Sequence, residues 1–363
     1  INQWPFAQTA ERCDYMKENI EMREKIIVAV DAMGGDNAPL EMIKGSVDAV
    51  NQNPQIRVIL VGQEEKISPI LSQFTYPKDQ IGIRNATEVI STEETPVLAI
   101  RKKKDSSIVV GERMVKEKEA DAFVSAGSTG AVLAGASLIT GRLKGFERTP
   151  LGTLIPTAKG VALLADSGAN VDCKASYLVQ FAKMGSIYME HVMGVKNPRV
   201  GLVNIGVEEE KGNSLVKEAH ELLKNCQDIH FIGNIEAREI PNAGADVVVC
   251  DGFVGNVILK MYEGVGGVLI KKIKETLTGS LTAKIGALLI KSALKETLKS
   301  FDATEYGGAP MLGLNGLVVK THGNAKAQEV RNSILQCLTF QEQHINDKIK
   351  EFLDQERRIK DGI

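Results

Sequence analysis

Short apolar runs recur along the chain, and most of them end in a polar stretch that carries glycine. The first is Ile26-Ile27-Val28-Ala29-Val30, followed by Asp31-Ala32-Met33-Gly34-Gly35-Asp36-Asn37-Ala38-Pro39. A continuous apolar run of this kind reads as a buried parallel strand, and the pattern after Pro39 reads as a helix. Asp36 or Asn37 is expected to cap that helix, with Pro39 in its first turn. Gly34 and Gly35 permit backbone geometries and close approaches that a Cβ would forbid. Taken alone, the loop is equally a tight strand-to-helix turn.

Four more junctions repeat the arrangement. Ala122-Phe123-Val124 runs into Ser125-Ala126-Gly127-Ser128-Thr129-Gly130-Ala131, and Val200-Gly201-Leu202-Val203 into Asn204-Ile205-Gly206. Val247-Val248-Val249-Cys250 leads to Asp251-Gly252-Phe253-Val254-Gly255-Asn256, and Leu317-Val318-Val319 to Lys320-Thr321-His322-Gly323-Asn324-Ala325. Ligands of open α/β sheets bind outside the carboxyl ends of the strands. The five exits therefore predict one crevice lined by helix N-termini and backbone N–H groups, suited to an anion. No Walker A spacing and no strand-borne G-x-G-x-x-G is present, so nucleotide binding has no motif behind it.

Between these junctions, strand-like segments at 56–62 and 160–166 alternate with helical patterns at 107–118 (capped by Ser106), 175–194, 213–225 and 325–354. Such alternation predicts an α/β fold, a three-layer, doubly wound and mostly parallel sheet with helices on both faces. No repeat or low-complexity linker divides the chain. Residues 23–363 are expected to form one large α/β unit, or two subdomains around a central crevice. The first 22 residues are polar and charged after Trp4-Pro5-Phe6; they read as an extension before a start at Met16 or Met22.

Residues 265–300 break the alternation. Val265, Val268, Leu269, Ile273 and Leu277, then Ile285, Leu288, Leu289 and Leu298, recur at helical spacing on either side of Gly279. Seven lysines (Lys271, Lys272, Lys274, Lys284, Lys291, Lys295, Lys299) oppose only Glu275 and Glu296 there. Two successive amphipathic helices are expected, either packed in the core or a subunit contact with a solvated basic face, or docking to a membrane or an acidic partner.

The remaining composition narrows the choices. A net charge of −2 over 363 residues, with no basic block interleaved with aromatics, argues against nucleic acid. Five scattered cysteines without a C-x-x-C fit reduced thiols in a cytosolic protein and no cysteine metal site. The longest apolar stretches, such as 285–290, fall short of the roughly 20 residues that span a bilayer. Ser125 and Ser128 lie in no G-x-S-x-G elbow, and His191, His220, His230 and His344 fall within regular patterns that suggest structural roles.

Together these stretches resemble the phosphate acyltransferases of bacterial phospholipid synthesis, the PlsX family. The resemblance runs from Ile26 to the final helix and is carried by residues 31–39, 125–131, 165–174, 204–213 and 306–325. It implies an isocitrate dehydrogenase-like fold and a homodimer, cytoplasmic and acting at the inner face of the membrane. The implied reaction moves a long acyl chain from acyl carrier protein to inorganic phosphate, giving an acyl phosphate. No metal and no cofactor is expected. A more distant likeness, to the phosphate acetyltransferases, sets Thr321-His322-Gly323 beside their Ser-Arg-Gly motif and Gly255-Asn256 beside their Asn-rich loop. It leaves coenzyme A as an alternative acyl donor. His322 stands where that group has Arg, and Gln328 falls near where some carry an acid, so no general base carries over.

For such a reaction the residues divide by chemistry. Phosphate is already substantially dianionic at neutral pH, so positioning and oxyanion stabilisation are the tasks to be met. His322, Thr321 and the N–H groups of Gly323 and Asn324, beside Lys320, are expected to hold phosphate. Lys174 is a second candidate cation, although a surface salt bridge would equally explain it. Asn204, Asn213 and Asn256 are candidate donors to the oxyanion, and Asp251 is a candidate to orient His322 or a water. Asn and Asp are also common turn residues. Ser125, Gly127 and Thr129 are expected to form the opposite wall, with Asp31, Gly34, Gly35, Asp36 and Asn37 contributing the first loop. A decarboxylating dehydrogenase would need a nicotinamide site and converging acids, and the consecutive Glu208-Glu209-Glu210 cannot converge.

Overall fold

The computed structural model describes residues 25–300 and 303–352. Among these residues eleven strands follow in chain order: β1 (Ile26–Asp31), β2 (Ile56–Gly62), β3 (Ile81–Asn85), β4 (Ala122–Ser125), β5 (Thr153–Thr157), β6 (Gly160–Ala165), β7 (Arg199–Asn204), β8 (His230–Glu236), β9 (Val247–Val249), β10 (Ala309–Met311) and β11 (Leu317–Lys320). They form two sheets, ordered β10-β11-β4-β1-β2-β3 and β5-β6-β9-β7-β8. Each is parallel except at one edge, where β10 and β5 run antiparallel to their neighbours. The mostly parallel α/β fold is as the alternation predicts, with its strands shared between two sheets.

By contacts the chain divides into two compact units, each holding one sheet. One comprises the chain up to Glu147, Ile187–Lys196 and the chain from Tyr306; the other comprises Arg148–Ser186 and Asn197–Glu305. In the first unit the chain steps from β1 outward to β2 and β3, then returns to lay β4 on the other side of β1. That reversal is a topological switch point, where strand ends splay and ligands bind. Val30 pairs with Leu60 of β2 and with Val124 of β4, and Ser125 pairs with Lys320 of β11. Val28, Ala29 and Val30 are fully buried, as a strand covered on both faces must be.

Between β6 and β7 the chain forms helix Ala175–His191, and between β7 and β8 helix Ser214–Lys224; in the second unit's sheet β9 inserts between β6 and β7. Ile155, Leu164, Val203, Ile235 and Val248 form its core, and Val254, Ile258 and Leu259 of the next helix pack against them.

Several local expectations need correction. The helix after the first loop is Leu40–Gln52 with Pro39 at its cap position and no side-chain cap, because Asn37 is engaged elsewhere. The C-terminal helix is Ala327–Glu342; a turn at Gln343 and His344, the latter at φ 51°, separates it from helical residues 345–352. Residues 353 and 354 lie outside the described residues, as does the expected extension of residues 1–22.

The basic segment does form two helices, but the first begins at the strand exit: Gly252–Thr278, followed by Leu281–Ser300. The side chains of Lys295, Leu298 and Lys299 lie outside the described set. At 27 residues, with an 18-residue window of mean hydropathy 1.4, Gly252–Thr278 is long and apolar enough to cross a membrane, contrary to expectation. Only 6% of that window is buried.

Candidate active site

The switch point of the first unit gathers three of the five exits. Asp31 closes β1 and is fully buried; its Oδ2 accepts the Ser125 hydroxyl at 2.7 Å and its Oδ1 the Met33 N–H at 3.1 Å. The Ser125 oxygen in turn accepts the Gly127 N–H at 3.0 Å. Burial pushes the Asp31 carboxyl above its ordinary value, opposed by hydrogen bonds from Ser107, Ser125 and Met33 and by the Lys320 charge. Gly34 lies against this group so closely that a Cβ would sit 2.3 Å from Asp31 Oδ2 and 2.6 Å from the Gly127 nitrogen. Gly35 turns the chain at φ +93°.

The third exit is laced to the other two. Thr321 donates its N–H to the Ser125 carbonyl at 3.0 Å, and Asp36 donates its own to the Gly323 carbonyl at 2.7 Å. Asn37 Nδ2 donates to the carbonyls of Asn324 (2.9 Å) and Ala325 (3.3 Å). The buried Lys320 places Nζ on the Thr321 carbonyl. Thr321 Oγ1 is buried with no hydrogen-bond partner among the described residues, which is uncommon for a hydroxyl.

His322 is exposed. Its Nδ1 accepts the Asn324 N–H at 3.4 Å, which leaves Nε2 as the donor of the neutral ring. The Asn324 N–H, one of two expected to face phosphate, is thus directed at the imidazole. Thr129 opens helix Thr129–Gly135, capped by Ser128.

In the second unit the exit of β9 meets the loop organised by Asp166, while the exit of β7 closes on itself. One carboxylate oxygen of Asp166 accepts N–H groups from Leu151, Gly168 and Ala169, and the other accepts the backbone and side-chain N–H of Asn170. The Asn170 carbonyl takes the Gly252 N–H at 2.7 Å. Gly255, in the first turn of that helix, lies so near that a Cβ would be 1.8 Å from the Asp166 carbonyl oxygen. Asn256 borders Gly168, where an added Cβ would lie 3.6 Å from Asn256 Cβ. The turn readings hold for three side chains. Asp251 caps helix Gly252–Thr278 through Val254 N–H at 2.8 Å, and Asn213 caps Ser214–Lys224 through Val216 N–H at 2.9 Å. Asn204 accepts the Ile205 N–H and donates to the Lys211 carbonyl, holding its own loop closed. Lys174 is exposed, with Nζ 5.7 Å from the centre of the Tyr177 ring; the Arg148 guanidinium lies at the same distance.

Three participants escaped the sequence reading. Glu329 is buried and accepts the His322 N–H at 2.7 Å, and nothing local in the sequence marks that contact. Asp166 ends an apolar run just as Asp31 does, so the same signal was available for it. Arg148 had none. No three His, Cys, Asp or Glu side chains gather as a metal site among the described residues. Burial pushes the Cys173 thiol up to about 12 and Cys250 well above its usual range, with the charges of Asp166 and Asp251 adding to both. Neither is a thiolate nucleophile at neutral pH.

With the geometry in view, comparison with known proteins sets the class. The fold is shared with a phosphotransacetylase from Streptococcus pyogenes (TM-score 0.59, 16% identity, covering 92% of this chain and all of that one). It is shared also with a phosphotransacetylase from Staphylococcus aureus (TM-score 0.57, 16% identity, 91% and 98% covered). A phosphate acyltransferase of Clostridium acetobutylicum is 49% identical over 91% of this chain and 99% of its own length, and one of Clostridium novyi is 48% identical over 90% and 98%. The protein is an α/β enzyme of the acyltransferase class. More closely, residues 26–348 match the model of the fatty acid synthesis protein family, and the chain belongs to that family.

Proposed function

We propose that the enzyme transfers a long-chain fatty acyl group from acyl carrier protein to inorganic phosphate, releasing an acyl phosphate for phospholipid synthesis. A phosphate oxygen attacks the thioester carbonyl, the C–S bond breaks, and the carrier leaves as a free thiol after taking up a proton. The observation that carries the reading is the interlaced ends of β1, β4 and β11, with a buried Thr321 hydroxyl that has no partner among the described residues. Phosphate would satisfy that hydroxyl and meet Lys320 and the Nε2 donor of His322. In the second unit Asp251 caps the helix that carries Asn256, while Asn204 and Asn213 close and cap the loop after β7. The names of the 48–49% identical relatives support phosphate as acceptor.

The two helices Gly252–Thr278 and Leu281–Ser300 support a further part of the reading. Their exposed Val265, Leu269, Leu281, Ile285 and Leu288 suit a homodimer contact, and their lysines suit the anionic inner face of a membrane. The decisive experiment incubates palmitoyl-loaded acyl carrier protein with the enzyme, with and without phosphate, and follows products by mass spectrometry. Phosphate-dependent free carrier and palmitoyl phosphate are expected. Thioester loss without phosphate dependence, or activity only with acyl-coenzyme A, overturns the reading in its acceptor or its donor respectively.

A further inference from the structure

The loops that leave β6, β7 and β9 in the second unit each carry an exposed apolar residue close to a polar one. Asn170 precedes Val171, Asn204 precedes Ile205, and the capping Asp251 stands two residues before Phe253. These side chains are 57%, 79% and 62% exposed, while the strands they leave are buried. The strands concerned, β6, β7 and β9, are neighbours in the order β6-β9-β7. The Gly252 N–H on the Asn170 carbonyl at 2.7 Å sets Val171 and Phe253 one residue beyond a shared hydrogen bond.

The exposure is held in place by the loops. Asn204 closes its loop by accepting the Ile205 N–H and donating to Lys211, and Asn170 is pinned to Asp166 by two N–H groups. Apolar side chains so fixed and left in water gain nothing for folding, and they are preorganised for a ligand. They lie at the carboxyl ends of strands, amid polar groups, so the ligand they suit has an apolar body next to a polar head. A fatty acyl thioester is that kind of molecule.

We propose that Val171, Ile205 and Phe253 seat the first part of the substrate's acyl chain and set the preference for long chains. This rests on the acyl-transfer reading above. The test compares wild type with the triple variant Val171→Ser, Ile205→Ser, Phe253→Ser, using octanoyl-, dodecanoyl- and hexadecanoyl-acyl carrier protein at saturating phosphate. Because all three residues are exposed, the variant should keep its circular dichroism spectrum and its KM for phosphate. Its kcat/KM is expected to fall about tenfold or more with the hexadecanoyl donor and about twofold with the octanoyl donor, the scale of losing a few apolar contacts. An equal loss at every chain length, or no loss, overturns the proposal. Absence of phosphate-dependent release by wild type with all three donors overturns the acyl-transfer reading itself, and the seat with it.

Discussion

At the residue scale the first unit separates the groups that hold its loops from the groups proposed to bind phosphate. Asp31, Ser125 and Gly127 bond to one another, whereas Thr321 keeps a buried hydroxyl with no partner among the described residues, and His322 beside it is exposed. Replacing His322 with Ala is expected to lower kcat by roughly 10²–10³, the scale of losing one preorganised donor, with an unchanged melting temperature. Steady-state kinetics and calorimetry on the purified variant check both halves. Away from this cluster, Glu112 on helix Ser107–Lys116 is fully buried, and only the Thr140 hydroxyl and its own burial act on its titration. Burial raises its carboxyl from 4.5 to about 8. The neutral form favours the folded state, so this contribution is complete below about pH 4.5 and declines as the pH rises, until it is lost beyond about 8. Glu112→Gln removes that dependence. Wild type is expected to lose melting temperature relative to the variant as the pH goes from 5 to 8, read by differential scanning calorimetry.

At the element scale the start of helix Gly252–Thr278 is the most constrained feature of the second unit. A methyl at Gly255 would meet the Asp166 carbonyl oxygen at 1.8 Å, and backbone cannot move aside cheaply. Gly255→Ala is expected to destabilise by more than about 2 kcal/mol, whereas Asn213→Ala, which removes only a cap, costs about 1 kcal/mol. Urea unfolding of both variants ranks them. This helix also shows where the sequence reading stopped. Val254, Ile258 and Leu259 pack on the core while Phe253, Val257, Met261 and Val265 face outward, so the helix is apolar on both sides and carries no amphipathic period in its first turns. A pattern search therefore begins it at 265. The strand exits were legible because an apolar run ending in Asp, Ser or Asn with glycine is a local signal. The Asn37 bond to Asn324, 287 residues away, is not local, and it is why the expected cap went elsewhere.

At the scale of the whole molecule the exposed helices are where the proposed association is tested. Leu281, Leu288 and Leu289 are at least 70% exposed, too many large apolar groups in one place for a solvated face. Lys271→Glu, Lys272→Glu and Lys274→Glu together are expected to weaken binding to anionic vesicles by more than a hundredfold, at about 1 kcal/mol for each lysine near the surface. The KM for acyl carrier protein should not move. Vesicle sedimentation at two ionic strengths, beside donor kinetics, separates a lipid contact from a carrier contact.

The order in which the chain is made bears on when it can act. The first unit is assembled from stretches separated by most of the second, and its β11 pairs with β4 across nearly two hundred residues. During synthesis β1 to β4 emerge early, and β4 then waits with a bare edge while β5 to β9 follow. Only the last stretch brings the hairpin that covers this edge, together with Thr321 and His322. A ribosome stalled before residue 309 holds a sheet open to pairing with any passing strand, in a chain that lacks the residues proposed to hold phosphate. The closing strand is the last part of this sheet to form, so an unfinished chain carries an open edge until it arrives.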